Sequence, residues 1–186
     1  WYYGLPGHLW QQSICWVFIL LSGFCLPLGR HPAKRGAMVF GCGALVTAVT
    51  LIFMPADVVW FGVLTLLGSA MIITGLLEKW LEKVPPVVGL AGSFFLFYFT
   101  RHAADGYLQL GHWLITPPGF LYANYFTAYL GFYPFGFFSA DYFPLIPWLF
   151  LFWTGFYLYH LVGKERLEPL HRSVCPPLGW LGRNSL

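Results

Sequence analysis

Charge is what this sequence has least of. Seven acidic and ten basic residues make up 9% of 186 positions, where a soluble domain of this size carries roughly a quarter. So few charges cannot clothe a water-facing surface, which excludes an ordinary soluble fold. Four cysteines (Cys15, Cys25, Cys42 and Cys175) include no CxxC pair and no metal-ligand spacing. Three lie in apolar runs, where a free thiol packs as a small hydrophobe, so neither a metal site nor a disulfide framework has support. No glycine-rich phosphate loop, paired metal-ligand motif or serine-nucleophile elbow is present, and nothing suggests nucleic-acid binding. No charged stretch precedes the first apolar run, and the first base is Arg30; a signal peptide is therefore a poor explanation. Beginning at Trp1, the chain reads as a piece cut from a longer protein.

What the chain has in abundance is apolar surface. Apolar residues make up 58% of it and aromatics 21%, a composition suited to a bilayer. A helix needs about 20 residues at 1.5 Å per residue to cross a hydrocarbon core of about 30 Å. Charge-free runs near that length predict helices over 8–29, 36–53, 58–77, 85–100 and 142–163, with the start of a sixth at 178. The fold class expected is therefore all-α: a single polytopic transmembrane domain, 1–186, of about five to six spanning helices. Gly36, Gly41, Gly43 and Ala44 would let the second helix approach a neighbour closely, and Pro85-Pro86 would open the fourth.

Alternating the helices puts nine bases (Arg30, Lys34, Arg35, Lys79, Lys83, Lys164, Arg166, Arg172 and Arg183) on one side and Arg101 alone on the other. That asymmetry assigns loops 30–35, 78–84 and 164–177 to the cytoplasm and 101–141 to the outside of a plasma membrane. The outer stretch carries no charge from Gly106 to Ala140, yet Pro117, Pro118, Gly119, Gly131, Pro134 and Gly136 interrupt it. Residues 103–140 are expected to be an aromatic re-entrant or interfacial segment, helical from Tyr107 to Ile115, that lids a cavity; two short crossings are the alternative.

Ionisable groups at bilayer depth point to function. His8, with Gln11 and Gln12 one turn on, is either an interfacial helix cap or part of a polar cluster facing a cavity. Asp57 is expected to cap the third helix. Asp141 either caps the fifth helix or faces the lid segment. Arg101, His102 and Asp105 form an outer polar cluster, either an interfacial ion pair or a substrate contact. His112 reads as interfacial, and His160 as the inner end of the fifth helix.

The stretches WQQSICWVFILLSGFCLPLGR, VVWFGVLTLLG, FYPFGFFSADYFPLIPWLFLFWTGFYL and LGRNSL resemble, in the same order, bacterial members of the heparan-alpha-glucosaminide N-acetyltransferase catalytic-domain family. SADYFPLIPW is the most specific of them, followed by GRNSL. The resemblance implies a membrane acyltransferase that moves an acetyl or acyl group from cytoplasmic acyl-CoA to a sugar-like acceptor on the outer side. It also implies a first helix before Trp1 bearing the main catalytic histidine and a last helix after Leu186, so that this piece alone would be inactive. Relatives often carry His in the segment matching Gly62–Thr65, where this chain has Thr65. On this reading the catalytic candidates are His8, Asp141 and Arg101. The candidates for the coenzyme A phosphates are Arg30, Arg35, Arg183 and Asn184. The partners are the lipid bilayer and a glycan or small-molecule acceptor; a homo-oligomer is compatible, and no metal is expected. A transporter or lipid/glycan flippase, suggested by the broken outer segment, and a non-enzymatic membrane subunit are the alternatives.

Overall fold

A computed structural model of the chain describes residues 5–103, 106–110, 113–122, 124–134 and 136–162. Five long helices dominate it: α1 (Leu5–Cys25), α2 (Pro32–Phe53), α3 (Val63–Leu81), α4 (Pro86–Thr100) and α6 (Leu145–Val162), with a six-residue α5 (Tyr125–Leu130) before the last. It is an all-α membrane bundle. By length and apolarity α2, α3 and α6 can each cross a bilayer, whereas Gln12–Leu28 and α4 are shorter apolar stretches. The expected start of a sixth helix at 178 and the loop 164–177 lie outside the described residues.

In a bilayer, helices gain little by hiding apolar surface from lipid that is equally apolar. Close packing and hydrogen bonds hold them together instead, and glycine is the chief device here. A Cβ on Gly36 would lie 2.8 Å from the Gly68 carbonyl oxygen, and one on Gly68 2.5 Å from the Phe40 nitrogen. Gly43 meets Thr65, and Gly75 meets Pro32 and Ala33, so α2 and α3 run antiparallel with their backbones nearly touching. Gly41 faces open space and takes no part in this contact. A second contact joins α1 to α6: Cβ atoms on Gly23 and Gly155 would each come within 2.0 Å of a carbonyl oxygen of the other helix, Phe152 and Leu20 respectively. Gly89 of α4 receives the Tyr157 ring.

The core lies along α6. Phe152 and Phe156 are fully buried, with Ile19 of α1, Leu66 and Ala70 of α3 and Phe97 of α4 around them. Polar links join the two helix groups: Trp153 Nε1 donates to Thr74 Oγ1 at 3.0 Å, and the Tyr157 hydroxyl donates to the Leu81 carbonyl at 3.2 Å. Residues exposed on this surface include Met38, Leu45, Ile52 and Phe53 on α2 and Phe94 and Phe95 on α4, as expected of sides that face hydrocarbon. Arg30, Lys34, Arg35, Lys79 and Lys83 fall at one end of the bundle, and Arg101 closes α4 at the other.

Two expectations need correction. Tyr107–Ile115 is not helical: Leu108–Leu110 and Trp113–Ile115 (β1 and β2) pair antiparallel, with Leu108 opposite Ile115 and Leu110 opposite Trp113. The alternation Leu-Gln-Leu suits a strand. Strand pairing satisfies its backbone groups locally. Asp57 does not cap the third helix either. It ends a single 3-10 turn, Pro55–Asp57, and α3 starts only at Val63 after Gly62. The predicted helix 58–77 thus begins five residues too early, because 58–62 is non-helical, bends at Phe61 and is engaged elsewhere. The remainder of the outer segment contains a 3-10 turn at Gly119–Tyr122 and the short α5, and no described helix there is long enough to cross.

Candidate functional site at the Arg101 end of the bundle

The extended strip before α3 and the strip before α6 are bound side by side. The Ala140 N–H donates to the Val58 carbonyl at 3.1 Å, and the Phe143 N–H to the Phe61 carbonyl at 2.9 Å. Between these bonds the Ser139 hydroxyl takes the Trp60 N–H at 2.9 Å and lies 2.9 Å from the Trp60 carbonyl, to which it donates. Asp141 completes the junction: its Oδ2 accepts the Val63 N–H at 3.1 Å. Phe61 bends the chain with φ 55°. Gly62 leaves room for the carboxylate, since a Cβ there would sit 2.8 Å from Oδ2. Asp141 is therefore a helix cap, as one reading of the sequence had it, but for α3 and not for the helix that follows it.

This junction fixes the start of α6 as one wall of a cavity of about 250 Å³ between α1, α4 and α6. Gln12 and Trp16 line it from α1, Arg101 and His102 from the end of α4, and Tyr142, Pro144, Pro147 and Trp148 from the approach and first turns of α6. The Arg101 guanidinium carbon lies 4.8 Å from the centre of the Trp16 ring, a cation–π contact. The His102 ring stacks on Tyr107, and the Tyr107 hydroxyl is 3.3 Å from His102 Nδ1. The Tyr142 hydroxyl donates to the Ala128 carbonyl, tying the wall to α5. Burial, and then Tyr133 beside it, pushes the Tyr142 phenol well above its ordinary pKa, so it is neutral across the physiological range.

Two further hollows adjoin α3. One, of about 90 Å³, lies at the Asp141 cap and is lined also by Gly43, Val46, Gly62 and Thr65. The other, about 270 Å³ and almost wholly apolar, is formed by Phe40, Phe61, Thr65, Phe126 and Tyr129. Thr65 lines both.

Of the sequence candidates, Arg101 lines the cavity between α1, α4 and α6 with His102 and Gln12, while Asp141 lines the hollow of about 90 Å³. These two charged residues do not share a site. His8 falls in the first turn of α1, four residues before Gln12. Arg30 and Arg35 flank the exposed link between α1 and α2 at the opposite end. Arg183, Asn184, Asp105 and His112 lie outside the described residues. Sequence reasoning passed over Trp16 and Trp148, though Trp16 follows Gln12 by one helical turn and so shares its face. Among the described residues no group of three His, Cys, Asp or Glu side chains could hold a metal ion.

The fold and site together define a membrane helix bundle with a polar, aromatic-walled cavity at the end away from its basic loops. The model of the family "Heparan-alpha-glucosaminide N-acetyltransferase, catalytic" matches residues 3–186, and the chain belongs to that family. Membership points to a membrane acetyltransferase-like function. No curated protein and no solved structure matches the chain.

Proposed function

We propose that the protein transfers an acetyl or acyl group from cytoplasmic acyl-CoA to a sugar-like acceptor that enters the Arg101 cavity from the outer side of a plasma membrane. The observation that carries this reading is the cavity itself, in a chain of this family. It combines a cation, an imidazole and an amide with indole and phenol walls, the mixture that recognises a ring bearing hydroxyl or amino groups. At about 250 Å³ it suits a single ring and is too small for coenzyme A. Arg30 and Arg35, exposed at the other end, are suited to the coenzyme phosphates, with Arg183 and Asn184 as further candidates.

In the reaction the acceptor nitrogen or oxygen bonds to the thioester carbonyl carbon. The carbon–sulfur bond breaks, and coenzyme A leaves as the thiol after taking up a proton. An imidazole removes the acceptor proton or carries the acyl group in between. His102, which lines the cavity, and His8, one turn before Gln12 in α1, are the candidates for this role. The test is transfer of labelled acetyl from acetyl-CoA by the full-length protein in membranes, across a panel of amino sugars and cell-envelope glycans. Turnover that falls at least about a hundredfold on His102→Ala or His8→Ala identifies the imidazole, the usual scale for a general base. No turnover across the panel would overturn the proposal.

A further inference from the structure

We infer that the Arg101 cavity is an oxyanion site, taking a carboxylate, sulfate or phosphate carried by its ligand. In its role as an acceptor subsite this rests on the function proposed above; as a binding site it does not. Among the described residues Arg101 is the one base at this end, while Arg30, Lys34, Arg35, Lys79 and Lys83 lie at the other. A cation placed against the positive-inside bias needs a compensating interaction. Among the described residues the guanidinium has the face of Trp16 and no carboxylate partner.

A cation–π contact holds the guanidinium through its charge, and its fork of N–H donors remains able to meet a planar oxyanion bidentately. The Asp141 carboxylate is engaged by the Val63 N–H and lines a different hollow. Among the described residues no acidic one lines the Arg101 cavity, which also holds the Gln12 amide and the His102 imidazole. Arg101 itself is exposed, but Trp16, Trp148 and the buried Pro144 and Pro147 supply low-polarity walls on one side, so its attraction to an anion there is screened somewhat less than in bulk water.

The ligand's anion has two sources with the same chemistry, a soluble anionic sugar or the headgroup of an anionic phospholipid. The full-length protein, in nanodiscs of phosphatidylcholine alone, is titrated calorimetrically with glucosamine 6-sulfate and with neutral methyl glucosaminide. The sulfated sugar should bind about tenfold or more tightly, the scale of one charge-assisted bidentate contact. Arg101→Gln should abolish that preference, and Arg101→Lys should retain part of it, which separates loss of charge from loss of fold. Repeating the titration with phosphatidylglycerol in the nanodiscs identifies the source: competition assigns the site to a headgroup, and unchanged affinity to the soluble sugar. Equal binding of both sugars, no binding of either, or a preference that survives Arg101→Gln would overturn the inference. Tight anion binding without acetyl transfer would refute the proposed function and leave the anion site standing.

Discussion

The Asp141 carboxylate accepts the backbone N–H of Val63 at 3.1 Å, across 78 residues of chain. A helix ordinarily takes its cap from the residue just ahead of it. Here that residue is Gly62, which has no side chain to offer, and the cap comes from the segment leading into α6. The bond joins two of the stretches that carry the family resemblance, VVWFGVLTLLG and SADYFPLIPW, and ties the approach to α6 to the start of α3.

Replacing Asp141 by Ala should therefore destabilise the protein by about 1 kcal/mol, the usual worth of an N-terminal cap, although the carboxylate lies far from α3 in sequence. Asp141→Asn, which can still accept the Val63 N–H, should lose less. Thermal unfolding in detergent compares the two; an unchanged midpoint for Asp141→Ala would show that the bond carries no stability.

The glycines divide into those that need their hydrogen and those that do not. Gly155→Ala would place a methyl 2.0 Å from the Leu20 carbonyl oxygen and Gly23→Ala one 2.0 Å from that of Phe152. Each should force α1 from α6 and cost about 1–3 kcal/mol, as overpacking does. Gly41→Ala and Gly92→Ala meet nothing within 4 Å and should stabilise by up to about 1 kcal/mol through helix propensity. Similar midpoints for the two pairs would refute the close packing of α1 on α6.

The Trp153 to Thr74 bond tests how α3 and α6 are joined. Thr74→Val keeps the shape but removes the acceptor for the Trp153 indole N–H. The loss should be about 0.6 kcal/mol and no more than about 1.7, the range for interhelical bonds in a membrane bundle. A double-mutant cycle with Trp153→Phe isolates the coupling, and a coupling of zero would mean that the bond is not formed.

Alkaline pH should weaken the Tyr142 wall. A phenol ionises near 10 in an unfolded chain, whereas burial raises the folded value of Tyr142. Below about pH 10 both states are protonated and the stability is intact. Above it the unfolded chain loses its proton first, so stability falls with rising pH. Tyr122, raised by burial in the same direction, adds to this fall. Unfolding midpoints measured at about pH 9 and 11 should drop in the wild type and drop less in Tyr142→Phe; equal drops would exclude Tyr142 as a source.

Much of the bundle was legible because hydrocarbon imposes a simple rule: a crossing segment is long, apolar and free of charge. Pro32–Phe53 and Pro86–Thr100 match the expected ends of α2 and α4 within a few residues. Gly36 and Gly43 were read as contacts of α2, and they are. The start of α3 was misread because Val58–Phe61 is apolar enough to be helix, and its pairing with 139–143 holds it in a non-helical path. The hairpin at 108–115 was missed for a similar reason: in an apolar, aromatic run the helix and strand patterns overlap.

For the candidate site, single residues were visible and their grouping was not. Arg101 stood out against the charge bias, and His102 with it. Trp16 and Trp148 were indistinguishable from other membrane aromatics until α1, α4 and α6 brought them to one cavity. Asp141 stood out as the charge that ends an uncharged run, yet its charge says nothing about which N–H it reaches.

The sequence by itself determined the class of environment, the lengths of the helices and their alternation, because those follow from local hydropathy and the sum of charges. Tertiary structure alone decided that α6 is the buried axis, that Asp141 serves α3, and that Arg101 and Asp141 occupy separate hollows. Each of those outcomes depends on close approach between segments far apart in the chain. Approach at that distance is set by glycine contacts and hydrogen-bond geometry, which no pattern of neighbouring residues records.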